Sequence, residues 1–303
     1  MAGTVRTSSR GPHRYHRPVS FLVESSAVEP LFVPLREPFV IANGRVDTTR
    51  AALCTVTVRE GGRTATGLGE AAPLHPVTRE DWPDLERVLA SCAIVGRPFE
   101  AVPELLAAFP ADAPVARAGL ETALLDAVAR LRGVSVAALL RGGPTPALEA
   151  SLETDVTLPI AGASRMADLA RGWRAQGFRC FKVKVGKDLD EDVRALRAVG
   201  AAVPDATFRL DANEGFSSGE ALSLLAAIDG LRVECFEQPC KRDDLDGMAR
   251  VTREGRTLVV ADESVRTSED LELVLRLKAA AGINLKLVKH GGPLEAFAIG
   301  RRA

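Results

Sequence analysis

Cys180-Phe-Lys-Val-Lys184, Phe208-Arg-Leu-Asp-Ala-Asn213, Cys235-Phe-Glu-Gln-Pro239, Val259-Val-Ala-Asp-Glu-Ser264 and Ile283-Asn-Leu-Lys286 are short apolar runs, each carrying a charge at or near its end. The charges Lys184, Asp211, Glu237, Asp262 and Lys286 are separated by 27, 26, 25 and 24 residues. Between the runs lie stretches with helical patterning, such as Asp190-Glu-Asp-Val-Arg-Ala-Leu-Arg-Ala-Val199 and Ser218-Gly-Glu-Ala-Leu-Ser-Leu-Leu-Ala-Ala-Ile228. That period is the length of one strand, one helix and two tight connections. The charges are therefore expected at the carboxyl ends of successive parallel strands, where a (β/α) barrel builds its active site. A single acid at a strand end is usually a turn residue or a helix cap. Solvation does not explain five charges in register, ordered Lys, acid, acid, acid, Lys.

Charge balance then suggests a chemistry. Three carboxylates at one barrel mouth repel one another unless a cation sits among them. Oxygen ligands from separate strands, with room for water and substrate oxygens, suit Mg2+ better than a thiolate-seeking metal. A lysine held near positive charge loses part of its preference for the ammonium form and can act as a base. Two lysines on opposite faces of a carbon can remove a proton from one side and return it on the other. The reaction class expected is proton abstraction alpha to a carboxylate, with the metal stabilising the enediolate.

The motifs Lys182-Val-Lys184-Val-Gly186, Leu210-Asp-Ala-Asn213, Glu237-Gln-Pro239, Ala261-Asp-Glu-Ser264 and Lys286-Leu-Val-Lys-His-Gly-Gly292 resemble the enolase superfamily, in particular its muconate-lactonizing subgroup. The resemblance implies that Asp211, Glu237 and Asp262 are the metal ligands and that Lys184 and Lys286 are the paired acid/base lysines. By the same analogy Lys184 serves the R configuration and Lys286 the S. Lys182 would contact the substrate carboxylate, with Asn213 as a further substrate contact. The implied fold is α/β, an N-terminal α+β capping domain followed by a modified TIM (β/α) barrel.

The first half of the chain fits that implication. We expect a tail at residues 1–20, the capping domain at 21–145 and the barrel at 146–303. Ala51-Ala-Leu-Cys-Thr-Val-Thr-Val-Arg-Glu-Gly-Gly62 looks like a strand and hairpin turn, and Thr66-Gly-Leu-Gly-Glu-Ala-Ala-Pro73 resembles the cap's Gly-x-Gly-Glu strand. Ala116 to Leu131 has small and apolar residues at helical spacing. A loop around Phe39, Ile41 and Asn43 is expected to close over the substrate and help choose it.

Composition agrees with a globular enzyme of two domains. The chain has 303 residues, 46% of them hydrophobic, and no apolar run of membrane-spanning length. A formal net charge of −1 offers no field for nucleic acid or an anionic membrane. The expected partner is a small carboxylate, and a homo-oligomer is left open. Cys54, Cys92, Cys180, Cys235 and Cys240 show no zinc spacing and read as buried thiols in a reducing cytoplasm. We expect Cys180 and Cys235 in the core and Cys240 near the site. The first 18 residues carry Arg6, Arg10, Arg14 and Arg17 with His13 and His16 and no acid, and read as a disordered tail. His75 and His290 have no partner nearby in sequence that suggests a zinc site or a triad.

Within the subgroup, Leu152-Glu-Thr-Asp-Val-Thr-Leu158, taken as the first barrel strand, resembles the Glu-Thr-Asp-x-Thr strand of dipeptide epimerases, where the residue matching Thr157 contacts the dipeptide. Alternating Thr and Asp can equally be ordinary barrel lining. The reading is a dipeptide epimerase. N-acylamino acid racemization, muconate cycloisomerization and o-succinylbenzoate synthesis stay open, as does an inactive relative with a binding role only. From the first barrel strand onward the period leaves room for six strand–helix units, with Lys286-Leu-Val-Lys-His-Gly-Gly as the sixth strand and only the start of a helix after it. Eight strands close a barrel. An incomplete barrel exposes strand edges, so the chain alone is expected to be poorly stable and weakly active.

Overall fold

A computed structural model describes residues 20–41, 44–74, 78, 80–107, 109–143 and 152–303. The basic tail, Asn43, His75 and the expected domain boundary at 145/146 lie outside the described residues. The N-terminal unit opens with three antiparallel strands, β1 (Phe21–Ile41), β2 (Gly44–Glu60) and β3 (Arg63–Ala71). There follow α1 (Trp82–Ser91), β4 (Pro98–Phe99), α2 (Val102–Leu105), α3 (Pro114–Arg132) and α4 (Val136–Arg141). The sheet order is β3-β2-β1-β4. Phe39 and Ile41 lie in the paired end of β1, opposite Val46 and Gly44, so they belong to a strand and not to a loop.

The second unit alternates strand and helix. Its elements are β5 (Val156–Leu158), α5 (Ala163–Ala175), β6 (Cys180–Lys184), α6 (Leu189–Ala202), β7 (Thr207–Asp211), α7 (Ser218–Ala227) and β8 (Val233–Glu237). They continue with α8 (Leu245–Glu254), β9 (Leu258–Ala261), α9 (Ser268–Leu277), β10 (Gly282–Ile283), α10 (Leu287–His290) and α11 (Pro293–Arg302). All six strands are parallel, in the order β10-β9-β8-β7-β6-β5. Among the described residues this is a partial β/α barrel, open between β5 and β10.

Period-two alternation decides which side chains reach the barrel interior. Phe181, Val183, Phe208, Leu210, Phe236 and Val259 are buried against helix residues such as Leu196, Val199, Leu224, Val251 and Val274. Each such side chain contributes about 1.5–3 kcal/mol by leaving water. The alternate positions, Lys182, Lys184, Arg209, Asp211 and Glu237, must then face inward. The helices begin where the sequence supplies caps: Asp188, Ser217, Asp244 and Thr267 each accept a backbone N–H from the first turn of α6, α7, α8 and α9.

Three local expectations are corrected. The sixth strand is Gly282–Ile283, and Leu287–His290 forms a short helix. A two-residue apolar run between lysines fits either state, and Gly291 and Gly292, both at positive φ, end the turn. Pro293 starts a helix that runs on to Arg302. The strand expected from Leu152 is confined to Val156–Leu158. Cys240, whose carbonyl accepts from Gln238 Nε2 (3.0 Å), is fully buried beside the site, while the two expected in the core, Cys180 and Cys235, are half-buried. Period two takes the latter two out of the core, since they share a face with Lys182 and Glu237.

The N-terminal unit has its own hydrophobic cluster, centred on β2, β3 and α3. Gly67 and Gly69 let α3 lie directly on β3. A Cβ at Gly67 would stand 2.1 Å from the Ala123 carbonyl oxygen, and one at Gly69 would stand 2.0 Å from that of Gly119. The Gly-x-Gly strand is thus a packing device. α3 also reaches the barrel unit, where the buried Glu121 carboxylate accepts the Leu294 N–H at the start of α11 (2.8 Å). Val288 and Leu294 pack on the N-terminal cluster. Gly69→Ala is expected to destabilise the protein by about 1–3 kcal/mol or more through overpacking, read as a lower urea midpoint at unchanged slope.

Candidate active site

Lys184, Asp211 and Glu237 are the last residues of β6, β7 and β8, Asp262 follows β9 by one residue, and Lys286 caps α10 just after β10. The structure brings all five together, with Lys182 among them. Lys182 Nζ lies 2.5 Å from Glu237 Oε2 and 2.8 Å from Asp211 Oδ2. Lys184 Nζ donates to Asp211 Oδ2 (2.7 Å) and to Asn213 Oδ1 (2.7 Å). Lys286 Nζ donates to Asp262 Oδ2. Thr157 in β5 pairs with Lys182 along the sheet and is half-buried.

Behind this row stand further residues, of which Lys289 and Asn284 were not singled out in the sequence. Lys289 is 3% exposed, and its ammonium donates to Asp262 Oδ1 (2.8 Å), the Asp262 carbonyl (2.7 Å) and the Asn284 carbonyl (2.8 Å). Asn284 Nδ2 donates to Glu237 Oε1 (2.7 Å), and the Asn213 N–H donates to Asp211 Oδ1 (3.1 Å). Asn213 Nδ2 donates to Glu263 Oε1 (3.1 Å). Gln238 joins two strand ends: its Oε1 accepts the N–H groups of Asp262 (2.9 Å) and Ser264 (3.1 Å). Asn213, Glu214 and Gln238 all sit at positive φ, so the chain bends sharply just beyond Asp211 and Glu237. The available signals for the missed residues were the second lysine of Lys286-x-x-Lys289 and the Asn two positions before Lys286.

The electrostatics follow from burial and pairing. Burial alone would raise the Asp211 and Asp262 carboxyls. Lys184 with Lys182, and Lys289 with Lys286, outweigh it and hold both groups below the ordinary aspartate range. Glu237 lies above the glutamate range through burial and the neighbouring Asp211 charge. Glu263 is pushed up to about 7 by burial and by Asp262. Burial opposes the Lys182 and Lys286 ammonium groups, yet their carboxylate partners raise both above the ordinary lysine value. The expected amine pushed toward neutrality is thus not what Lys286's present partners produce. Lys289 is lowered by its burial.

Each of the three carboxylates has one oxygen held by a scaffold donor and the other turned to a lysine. Among the described residues no three His, Cys, Asp or Glu side chains close into a ready metal cage. Instead the ammonium groups of Lys182, Lys184 and Lys286 stand among the carboxylates. The donor set is nonetheless that of a hard divalent cation, with three carboxylate oxygens from three strands and no thiolate. A cation there would take the place of the lysine contacts.

Comparison with known proteins places this geometry. Residues 25–141 match the mandelate racemase/muconate lactonizing enzyme N-terminal domain, and residues 165–303 match the enolase C-terminal domain-like family. The chain belongs to the mandelate racemase/muconate lactonizing subgroup of the enolase superfamily. It is similar to an L-Ala-D/L-amino acid epimerase of Populus trichocarpa, 36% identical over 91% of this chain and 68% of the relative. The substrate-liganded L-Ala-D/L-Glu epimerase of Bacillus subtilis superposes with a TM-score of 0.85 at 31% identity, over 93% of this chain and 79% of that one. The dipeptide epimerase of Enterococcus faecalis V583, complexed with Mg and L-Leu-L-Tyr, gives 0.84 at 28%, over 92% and 78%. No helix among the described residues is long and apolar enough to cross a membrane.

His290 is buried and its Nδ1 lies 2.8 Å from the Arg266 carbonyl oxygen, so Nδ1 carries the proton and donates it. Burial, then the Lys289 charge, lowers its pKa to about 4 from 6.5. A histidine with a depressed folded pKa contributes stability above 6.5 that is lost as pH falls from there through about 4. Raised carboxyls such as Glu263 act in the opposite direction, so the His290 share is read by difference: the stability advantage of wild type over His290→Gln in denaturant titrations is expected to shrink by about 2 kcal/mol between pH 7.5 and pH 5.

Proposed function

We propose that this chain is a Mg2+-dependent dipeptide epimerase, which removes the proton from the carbon next to a free carboxylate and returns it on the opposite face. One observation carries the reading. Lys184 on β6 and Lys286 after β10 stand on either side of the row Asp211, Glu237 and Asp262, because the strand order puts three acidic strand ends between them. A substrate carboxylate drawn to the middle of the row has one amine on each flank. The similarity to dipeptide epimerases and the Thr154-Asp-Val-Thr157 run support a dipeptide as substrate.

Asp211, Glu237 and Asp262 would hold the metal through the oxygens that now face lysines. When bound, Mg2+ supplies positive charge to stabilise the substrate carboxylate as negative charge builds on it. Lys182, between Asp211 and Glu237, is placed to receive that carboxylate. Lys184 and Lys286 move the proton. Lys286 can accept one only after its ion pair with Asp262 opens, since the pair keeps it protonated. Asn213 aligns Lys184 through its side-chain oxygen and, with Thr157, is a further substrate contact in this reading.

The test is incubation with Mg2+ in D2O against a panel of dipeptides and N-acyl amino acids. Deuterium at the alpha carbon of a dipeptide, with inversion, is the expected outcome; exchange only into N-acyl amino acids would move the substrate class, and exchange into neither would overturn the reading. Asp211→Asn is expected to weaken Mg2+ binding and abolish turnover while the circular dichroism melt of the N-terminal unit persists. Lys184→Ala and Lys286→Ala should each lower epimerization by about 10²–10⁴-fold. Each variant should still exchange the alpha proton of one isomer, and the two isomers should differ. Equal residual epimerization in both would point to a single base.

A further inference from the structure

We propose that Lys289 and Asn284 set which metal the carboxylates accept, by holding one oxygen of Asp262 and one of Glu237 so that each offers only its other oxygen to a cation. The inference rests on the reading of Asp211, Glu237 and Asp262 as a cation-binding set. Lys289 is a fixed donor. It is 3% exposed and its three N–H bonds are used on Asp262 Oδ1, the Asp262 carbonyl and the Asn284 carbonyl. The same contact to Asn284 steadies the residue whose side-chain amide holds Glu237 Oε1 at 2.7 Å. The Asn284 N–H is itself anchored on the Ala261 carbonyl (2.8 Å). Asp211 follows the same rule through the backbone, with Oδ1 held by the Asn213 N–H.

The two sets of donors differ in how readily they can leave. Lys182, Lys184 and Lys286 are half-buried ends of flexible side chains. Lys289 is sealed in, and freeing Asp262 Oδ1 would strand a buried ammonium. The set therefore supplies three single oxygens and leaves the remaining positions to water or substrate. That suits Mg2+, which requires a near-octahedral shell and keeps several waters. Ca2+ takes six to eight oxygens and commonly uses both oxygens of a carboxylate. Nearby charge acts alike on two divalent ions, so the held oxygens should be read in the ratio of the two affinities.

The experiment is calorimetric titration of the full chain with Mg2+ alone and with Ca2+ alone, for wild type, Lys289→Met, Lys289→Gln, Asn284→Ala and Lys286→Met. Lys289→Met and Asn284→Ala are expected to raise the Ca2+ to Mg2+ affinity ratio by roughly tenfold or more. Lys289→Gln keeps one donor and should restore most of the selectivity. Lys286→Met, which leaves the held oxygens in place, should shift both affinities together and hold the ratio within about threefold. An unchanged ratio in folded Lys289→Met and Asn284→Ala overturns the proposal alone. A wild-type chain that binds neither ion overturns the metal reading and the proposal with it. If Lys289→Met does not fold, the other two variants decide, and unfolding of all three gives these residues a structural role only and overturns the proposal.

Discussion

Three carboxylates crowded at one end of a parallel sheet constrain almost everything around them. Asp211 and Asp262 are fully buried and Glu237 nearly so. Unpaired charges in such a setting are prohibitively costly, and removing one partner from a buried pair costs about 3–5 kcal/mol. The structure answers with Lys182, Lys184, Lys286 and Lys289, each within hydrogen-bonding reach of one or more of these acids. Glu263, pushed up to about 7, carries at most part of a further negative charge at neutral pH. Two of these lysines, Lys184 and Lys286, are the ones proposed above to move the proton, so in that reading stability and chemistry draw on the same side chains.

That balance depends on register. Parallel pairing aligns Lys184 with Asp211 and Asp211 with Glu237, so a one-residue slip would turn the charges into the packed helix layer and the phenylalanines into the mouth. The buried Phe181, Phe208 and Phe236 forbid the slip. Gln238 takes over where the ladder ends, since its side chain, and no further strand residue, fixes the Asp262 N–H.

The spacing of charges was readable because it repeats, and a repeat needs no knowledge of where any one side chain points. The capped helices were readable for the same kind of reason, with Ser217 and Thr267 carrying their own local signals. What escaped was set by backbone direction after the last strand. Lys286-Leu-Val-Lys289 extends as a strand or turns as a helix with equal ease. Only the helical turn carries Lys289 back beneath Asp262. Asn284 was hidden for a related reason, because its partner Glu237 is 47 positions away and belongs to no shared motif. The half-burial of Cys180 and Cys235 shows that an apolar run does not say which of its faces is apolar.

Glu121 has a bearing on how the chain reaches this state. Its carboxylate meets the first turn of α11 across 173 positions of sequence. Closing so long a loop is entropically costly and slow compared with forming neighbouring strand–helix pairs. The face of α3 and α4 that receives α11 is complete once residues up to Arg141 have folded. The N-terminal unit can therefore serve as a template on which α10 and α11 settle. The segment that carries Lys286 and Lys289 would then be ordered last, on a surface that already exists.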